Sequence, residues 1–169
     1  MSTADMQEDE LSEDELSVVE GLGAYQFECQ VASRPEHMTR VKTRNVQPCA
    51  NSAETRSHRL FLLFGKSTVL GYVEYTCLGS WIYVDWIASW GREHGCAGVA
   101  SRLLREVICR CQQDEVKMIE ARLVHRKCDP VWLLAAEQNL FTKAGFKCRY
   151  WIWEKDQILY DMKLKLNHV

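Results

Sequence analysis

No apolar stretch in the chain approaches the ~20 residues that a membrane-spanning helix needs. The longest runs, such as Leu60–Phe64, are strand-sized, so no membrane partner is expected. Proline is scarce (3 residues) and glycine modest (9 in 169), which excludes collagen-like and low-complexity classes. Charge of one sign is missing too: 21 bases against 23 acids leave a net of −2, little reason to expect a nucleic-acid partner. There is no basic-then-apolar leader, so the chain is expected inside the cell, in the cytoplasm, with the nucleus left open. What is present is 47% hydrophobic residues with 6 Trp, 6 Tyr and 5 Phe, enough for one domain with its own core.

Eight cysteines occur, at 29, 49, 77, 96, 109, 111, 128 and 148, mostly within apolar runs. Without a secretory leader they read as reduced thiols packed like small hydrophobes. Cys109-x-Cys111 with His125 and Cys128 is the one grouping that suggests a metal. It lacks the paired spacing of a zinc knuckle, so no metal is expected.

Charge is unevenly spread. Residues 1–20 hold eight acids and no base, while residues 21–169 hold 15 acids and 21 bases, a net of +6. Residues 1–21 therefore read as an acidic disordered tail, and 22–169 as the folded domain. Within it, Tyr25–Val31 reads as a strand, and Ser33-Arg34-Pro35-Glu36 as a capping box opening a short helix with Met38 and Val41 on one face. Residues 43–57 read as a loop. His58–Phe64, Thr68–Leu78 and Trp81–Ser89 read as three antiparallel strands joined by Gly65-Lys66-Ser67 and Gly79-Ser80 turns. The period then changes: Val99, Leu103, Leu104, Val107, Ile108 and Cys111 share one helical face. Val116–Val124 returns to strand, Asp129-Pro130 opens a helix that Gly145 ends, and Phe146–Trp153 with Gln157–Leu166 closes the chain as a strand pair. The fold class is α/β, a mixed, mostly antiparallel sheet flanked by helices.

The stretch from Asp85 to Leu104 carries the chemistry. A strand enters a loop of small residues that opens an amphipathic helix. Free N–H groups and the helix dipole meet there, and small side chains let a phosphate approach.

With that order of elements the chain, over about residues 22–166, resembles the GCN5-related N-acetyltransferases (GNAT), which move an acetyl group from acetyl-CoA to an amine. The strand–loop–helix is similar to the family's (Q/R)-x-x-G-x-(G/A) pyrophosphate loop. Asn139-Leu140-Phe141-Thr142-Lys143-Ala144-Gly145-Phe146 looks like its LY-x-x-x-GF helix end, and Glu120-Ala121-Arg122 is similar to the E-V-R of its ribosomal-protein alanine acetyltransferases. Arg92 through Ala97 satisfies the loop pattern literally; taking Gly98-Val99-Ala100 as G-x-(G/A) instead aligns Leu103-Leu104 with the helix's apolar pair, and this register is preferred.

The resemblance implies an acyl-CoA N-acyltransferase fold, acetyl-CoA as co-substrate, and a direct attack in a ternary complex. It assigns Ile87, Ala88 and Ser89 to the pantetheine arm and His94, Gly95, Cys96, Gly98, Val99, Ala100 and Ser101 to the pyrophosphate. Glu120 is the first candidate base, Asp85 and Glu74 the alternatives; each also reads as an ordinary strand carboxylate. The acceptor would be an amine: a protein lysine, an N-terminus or a small molecule. A homodimer is in keeping with the family. Two departures stand out: Phe141 replaces the tyrosine that protonates the departing thiolate, and Leu134 replaces an asparagine. They give weight to a second reading, a catalytically impaired domain that binds CoA or a protein.

Three further patterns have plainer readings. His94 beside Cys96 lacks a third group to orient a nucleophile. Trp81, Tyr83, Trp86, Trp90, Trp151 and Trp153 read as sheet packing rather than base-stacking platforms. Arg34, Arg40, Lys42, Arg44, Arg56 and Arg59 read as a solvated face, or as a preference for acidic acceptors.

Overall fold

The computed structural model describes residues 15–21, 27, 30, 38–40, 55–65, 67–126, 139–154 and 157–167. In chain order the elements are β1 (Leu16–Glu20), β2 (Met38–Arg40), β3 (Thr55–Phe64), β4 (Thr68–Leu78), β5 (Trp81–Ser89), a 3-10 turn (Gly91–His94), α1 (Val99–Gln113), β6 (Met118–Arg126), α2 (Leu140–Lys143), β7 (Lys147–Glu154) and β8 (Gln157–Lys165). They form one sheet in the order β1-β3-β4-β5-β6-β8-β7, with β2 added to β5 off that path. Every pairing is antiparallel except β5 with β6.

Alternation along the strands creates two buried faces. On one, Leu60, Leu62, Val73, Ile82, Val84 and Ile87 meet Leu103, Leu104 and Val107 of α1, with Ile119, Ala121, Phe141, Tyr160 and Met162 continuing the layer. On the other, Phe61, Leu63, Tyr72, Ala88 and Trp90 close around Phe27. Leu103 and Leu104 are wholly buried; truncating either to alanine costs about 2–5 kcal/mol.

The sequence expectations for β4 and β5 coincide with the structure residue for residue. Four others need correction. Phe27 and Gln30 are helical where a strand was expected over Tyr25–Val31. Three residues apart, they share a helical face: Phe27 packs on Phe61 at 5.5 Å between ring centroids, and the Gln30 amide accepts from Val69 N–H and donates to Ser67 O. Met38–Arg40 is strand, not helix, because the edge of β5 offers it unpaired main-chain groups. Thr55–Ser57, read as loop, extends β3. Leu16–Glu20, counted with the tail, pairs along β3 from Leu16↔Phe64 to Glu20↔Leu60. Its Leu16, Val18 and Val19 cover the sheet, an apolar pattern outweighed in the composition by the surrounding acids. Glu20 then pairs with His58 (2.6 Å) and Arg110 (3.4 Å). Residues 1–14, the Ser33–Glu36 capping box, Asp129-Pro130 and Leu134 lie outside the described residues.

One irregularity positions the site. β5 pairs with β6 only from Trp81↔Met118 to Val84↔Ala121. Beyond that point β6 runs on to Arg126 beside β8, and β5 runs on to Ser89 beside β4. The two strands part, leaving a fork.

Candidate active site

The far limb of the fork leads into the small-residue loop. Trp90 anchors its start: its main-chain N–H donates to Leu70 O (2.9 Å) and its indole N–H to Val69 O (2.6 Å). The Cys96 N–H returns to Gly91 O at 2.8 Å, closing the loop on itself. Val99, the first residue of α1, is seated against Gly91, where any Cβ would lie 2.3 Å from Val99 Cγ2. Gly98 is the N-cap, at φ +74°. That left-handed conformation is costly for residues with a Cβ, and the space beside it is open, with nothing within 4 Å of a built Cβ.

The first turn of α1 is chemically prepared for an anion. Arg102 N–H to Gly98 O is the first intrahelical bond (3.0 Å), so the N–H groups of Val99, Ala100 and Ser101 have no intrahelical acceptor. No acid lies in that turn, and no side chain caps it. His94, Gly95, Gly98 and Ser101 are exposed, whereas Cys96 and Val99 are buried. Of the residues assigned to the pyrophosphate, Cys96 and Val99 therefore present main chain. Cys96 Sγ lies 3.9 Å from its neighbour's carbonyl.

At the crotch of the fork stand the carboxylates. Ile119 and Ala121 point into the α1 side, so Glu120 between them faces the opposite side. Its register partners are Tyr83 on β5 and Lys163 on β8. Glu120 and Asp161 are each only 3% exposed. Lys163 Nζ lies 2.8 Å from Glu120 Oε1 and 3.6 Å from Asp161 Oδ2. Asp85 lies on the same side, since it follows Val84 of the α1-facing layer, and a bulge that pairs Glu74 with Trp86 and Tyr75 with Val84 leaves it with no residue opposite. Its Oδ2 accepts from the Thr76 hydroxyl at 2.6 Å. Burial pushes its carboxyl up to about 6, against the Thr76 hydrogen bond and with some help from Glu74. Glu74 itself is spent on Arg59 at 3.0 Å. The sheet thus gathers Glu120 and Asp85 on one side, and adds Asp161 and Lys163, which sequence reasoning missed. Their signal was there: Asp161 and Lys163 alternate with the apolar Tyr160, Met162 and Leu164 along β8.

Ile87 and Ala88, assigned to the pantetheine arm, are paired on both edges. β4 holds one through Val73↔Ile87 and Tyr72↔Ala88. On the other edge Met38 pairs with Ala88, Thr39 with Ile87 and Arg40 with Trp86. Ser89 pairs with Gly71, and among the described residues no β2 residue faces it. Phe141 is 1% exposed and meets Phe146 edge-on at 5.2 Å, as a core side chain.

Elsewhere, a cavity of about 520 Å³ lies at the opposite end of α1, between His58, Tyr75, Cys77, Arg110 and Cys111. Burial pushes its thiols up, Cys77 to about 11 and Cys111 to about 12, so both stay protonated at neutral pH. Cys109 is exposed on α1; the His125 side chain and Cys128 lie outside the described residues. Among the described residues no helix is long and apolar enough to cross a membrane.

The fold defined by this sheet, fork and crossover helix is that of the GCN5-related N-acetyltransferases. A GCN5-related N-acetyltransferase from Kribbella flavida is 15% identical, with 92% of this chain and 100% of that one covered and a TM-score of 0.60. The ribosomal-protein-S18-alanine N-acetyltransferase of Escherichia coli is 11% identical, covering 91% and 96%, with a TM-score of 0.64. A Bacillus anthracis protein assigned as a streptothricin acetyltransferase, solved with acetyl coenzyme A, is 13% identical over 69% of this chain and 65% of its own, at a TM-score of 0.51. No protein-family model and no curated protein sequence matches the chain.

Proposed function

We propose that the protein is an N-acetyltransferase that moves an acetyl group from acetyl-CoA to an amine. One observation carries this reading: β5 and β6 part after Val84 and Ala121, with a buried carboxylate, Glu120, at the crotch and the unspent N–H groups of α1 beyond β5. A CoA pyrophosphate fits the turn from Gly95 to Ser101, where main-chain donors and the helix dipole favour negative charge. The pantetheine arm runs along the β5 edge at Ile87, Ala88 and Ser89, and β2 must yield that edge when it binds. A β5 N–H there polarises the thioester carbonyl as the oxyanion develops.

The chemistry then needs a neutral amine. An alkylamine with a pKa near ~10.4 is almost wholly protonated at pH 7, so Glu120 accepts its proton. The nitrogen lone pair attacks the carbonyl carbon, the C–S bond breaks, and CoA leaves as a thiolate. Phe141 has no proton to give that thiolate, so water supplies it. A thiolate whose conjugate acid has a pKa near ~8.5 tolerates this. Asp85, titrating near neutrality, is the second candidate for proton transfer.

Phe141 also favours a second reading, a domain that binds CoA without turnover, because its ring is committed to the core. The deciding experiment has two parts. CoA at 100-fold its Kd should stabilise the fold by ~2.7 kcal/mol, and mass spectrometry of an amine and peptide panel should detect acetylated product that Glu120→Gln sharply reduces. Binding without product selects the second reading; absence of binding overturns both.

A further inference from the structure

Lys163 does not simply neutralise a surface acid. Its ammonium lies between two carboxylates that are 3% exposed, 2.8 Å from Glu120 Oε1 and 3.6 Å from Asp161 Oδ2. The Trp81 ring faces it at 5.7 Å, within cation–π range. Neither carboxylate oxygen accepts a hydrogen bond of standard geometry among the described residues, so charge holds the ammonium and lone pairs remain unspent. Trp81, 38% exposed, is the one exposed large hydrophobic side chain among the described residues. Two carboxylates and an indole around a nitrogen are the parts of an ammonium-binding site.

We propose that this cage is the acceptor's seat: Glu120, Asp161 and Trp81 bind a primary ammonium on an unbranched alkyl chain, and Lys163 occupies the seat until the acceptor displaces it. The inference rests on the acetyltransfer reading and names its substrate class. Exchange of one ammonium for another leaves the charge between Glu120 and Asp161 unchanged, and the displaced Lys163 head can enter water. The incoming alkyl chain lies on the Trp81 ring. Its nitrogen then stands beside Glu120, the group that takes its proton.

Binding of n-butylammonium, measured by NMR titration without acetyl-CoA, tests the seat apart from the chemistry. Lys163→Met should bind it about tenfold or more tighter than wild type, because nothing competes. Asp161→Asn in that background should lose the gain. Lys163→Arg, which keeps a resident cation, should bind as weakly as wild type. In wild-type protein carrying 13C-labelled lysine, butylammonium should shift the Lys163 ε-methylene signal, a readout that needs no variant to fold. Equal affinities in all forms, or an unmoved Lys163 signal at saturation, overturn the proposal. A lysine peptide and spermidine, run as separate arms, tell a protein acceptor from a small one. Preference for a lysine-free peptide with an alanine N-terminus over both also overturns it. Acetyl-CoA turnover is measured alongside: a seat that binds amines with no transfer refutes the chemistry and leaves the seat standing.

Discussion

Val99 fills the notch that Gly91 leaves, so closely that a methyl group at position 91 would stand 2.3 Å from its Cγ2 and 2.6 Å from Cys96 O. This contact joins the start of α1 to the end of β5 and sets where the helix points its free N–H groups. Gly91→Ala should cost about 1–3 kcal/mol through overpacking and weaken CoA binding beyond that loss. Thermal denaturation with and without CoA reads both; unchanged CoA affinity would detach the notch from the site.

Gly98→Ala tests the same turn differently. No clash is built in, but a left-handed N-cap strains any residue with a Cβ. A loss of about 1 kcal/mol in stability is expected, together with weaker CoA binding by calorimetry.

Glu120→Gln should lower kcat by ~10²–10⁴, the usual value of a general base, while leaving CoA affinity within about twofold. Stopped-time product assays and calorimetry measure the two separately. Undiminished turnover would transfer the role to Asp85.

Asp85 gives a stability signature. Its carboxyl, held near 6 in the fold against 3.8 in an open chain, is penalised when ionised. The folded state then binds more protons than the unfolded one between those values, so stability falls as pH rises through the interval. Asp85→Asn removes the penalty: at pH 7 it should be more stable by about 1 kcal/mol after solvent screening, an advantage that fades below pH 4. Denaturant melts at pH 4, 5.5 and 7 check the sign.

The three-residue pairing of β2 with Trp86–Ala88 gives a prediction about affinity. Adjacent strand residues aim their N–H groups to opposite sides, so prolines at both Thr39 and Arg40 must remove a ladder donor. The double variant should bind acetyl-CoA several-fold more tightly by calorimetry; equal or weaker binding would show that the arm and β2 do not compete.

Local pattern alone settled the β4–β5 hairpin, α1 and the small-residue turn before it, because alternation, helical period and glycine are written into neighbouring residues. Glu120, Asp85 as its alternative, and Ile87 to Ser89 could be named as candidates only through the resemblance to family motifs. The partnership of Glu120 with Lys163 could not, since they meet only through the β6–β8 register, 43 positions apart along the chain. Nor could composition reveal β1 within its run of acids, the bulge at Asp85, or the strand laid over Ile87. Those depend on which sheet edge is left unpaired, and an edge exists only after the other strands have assembled.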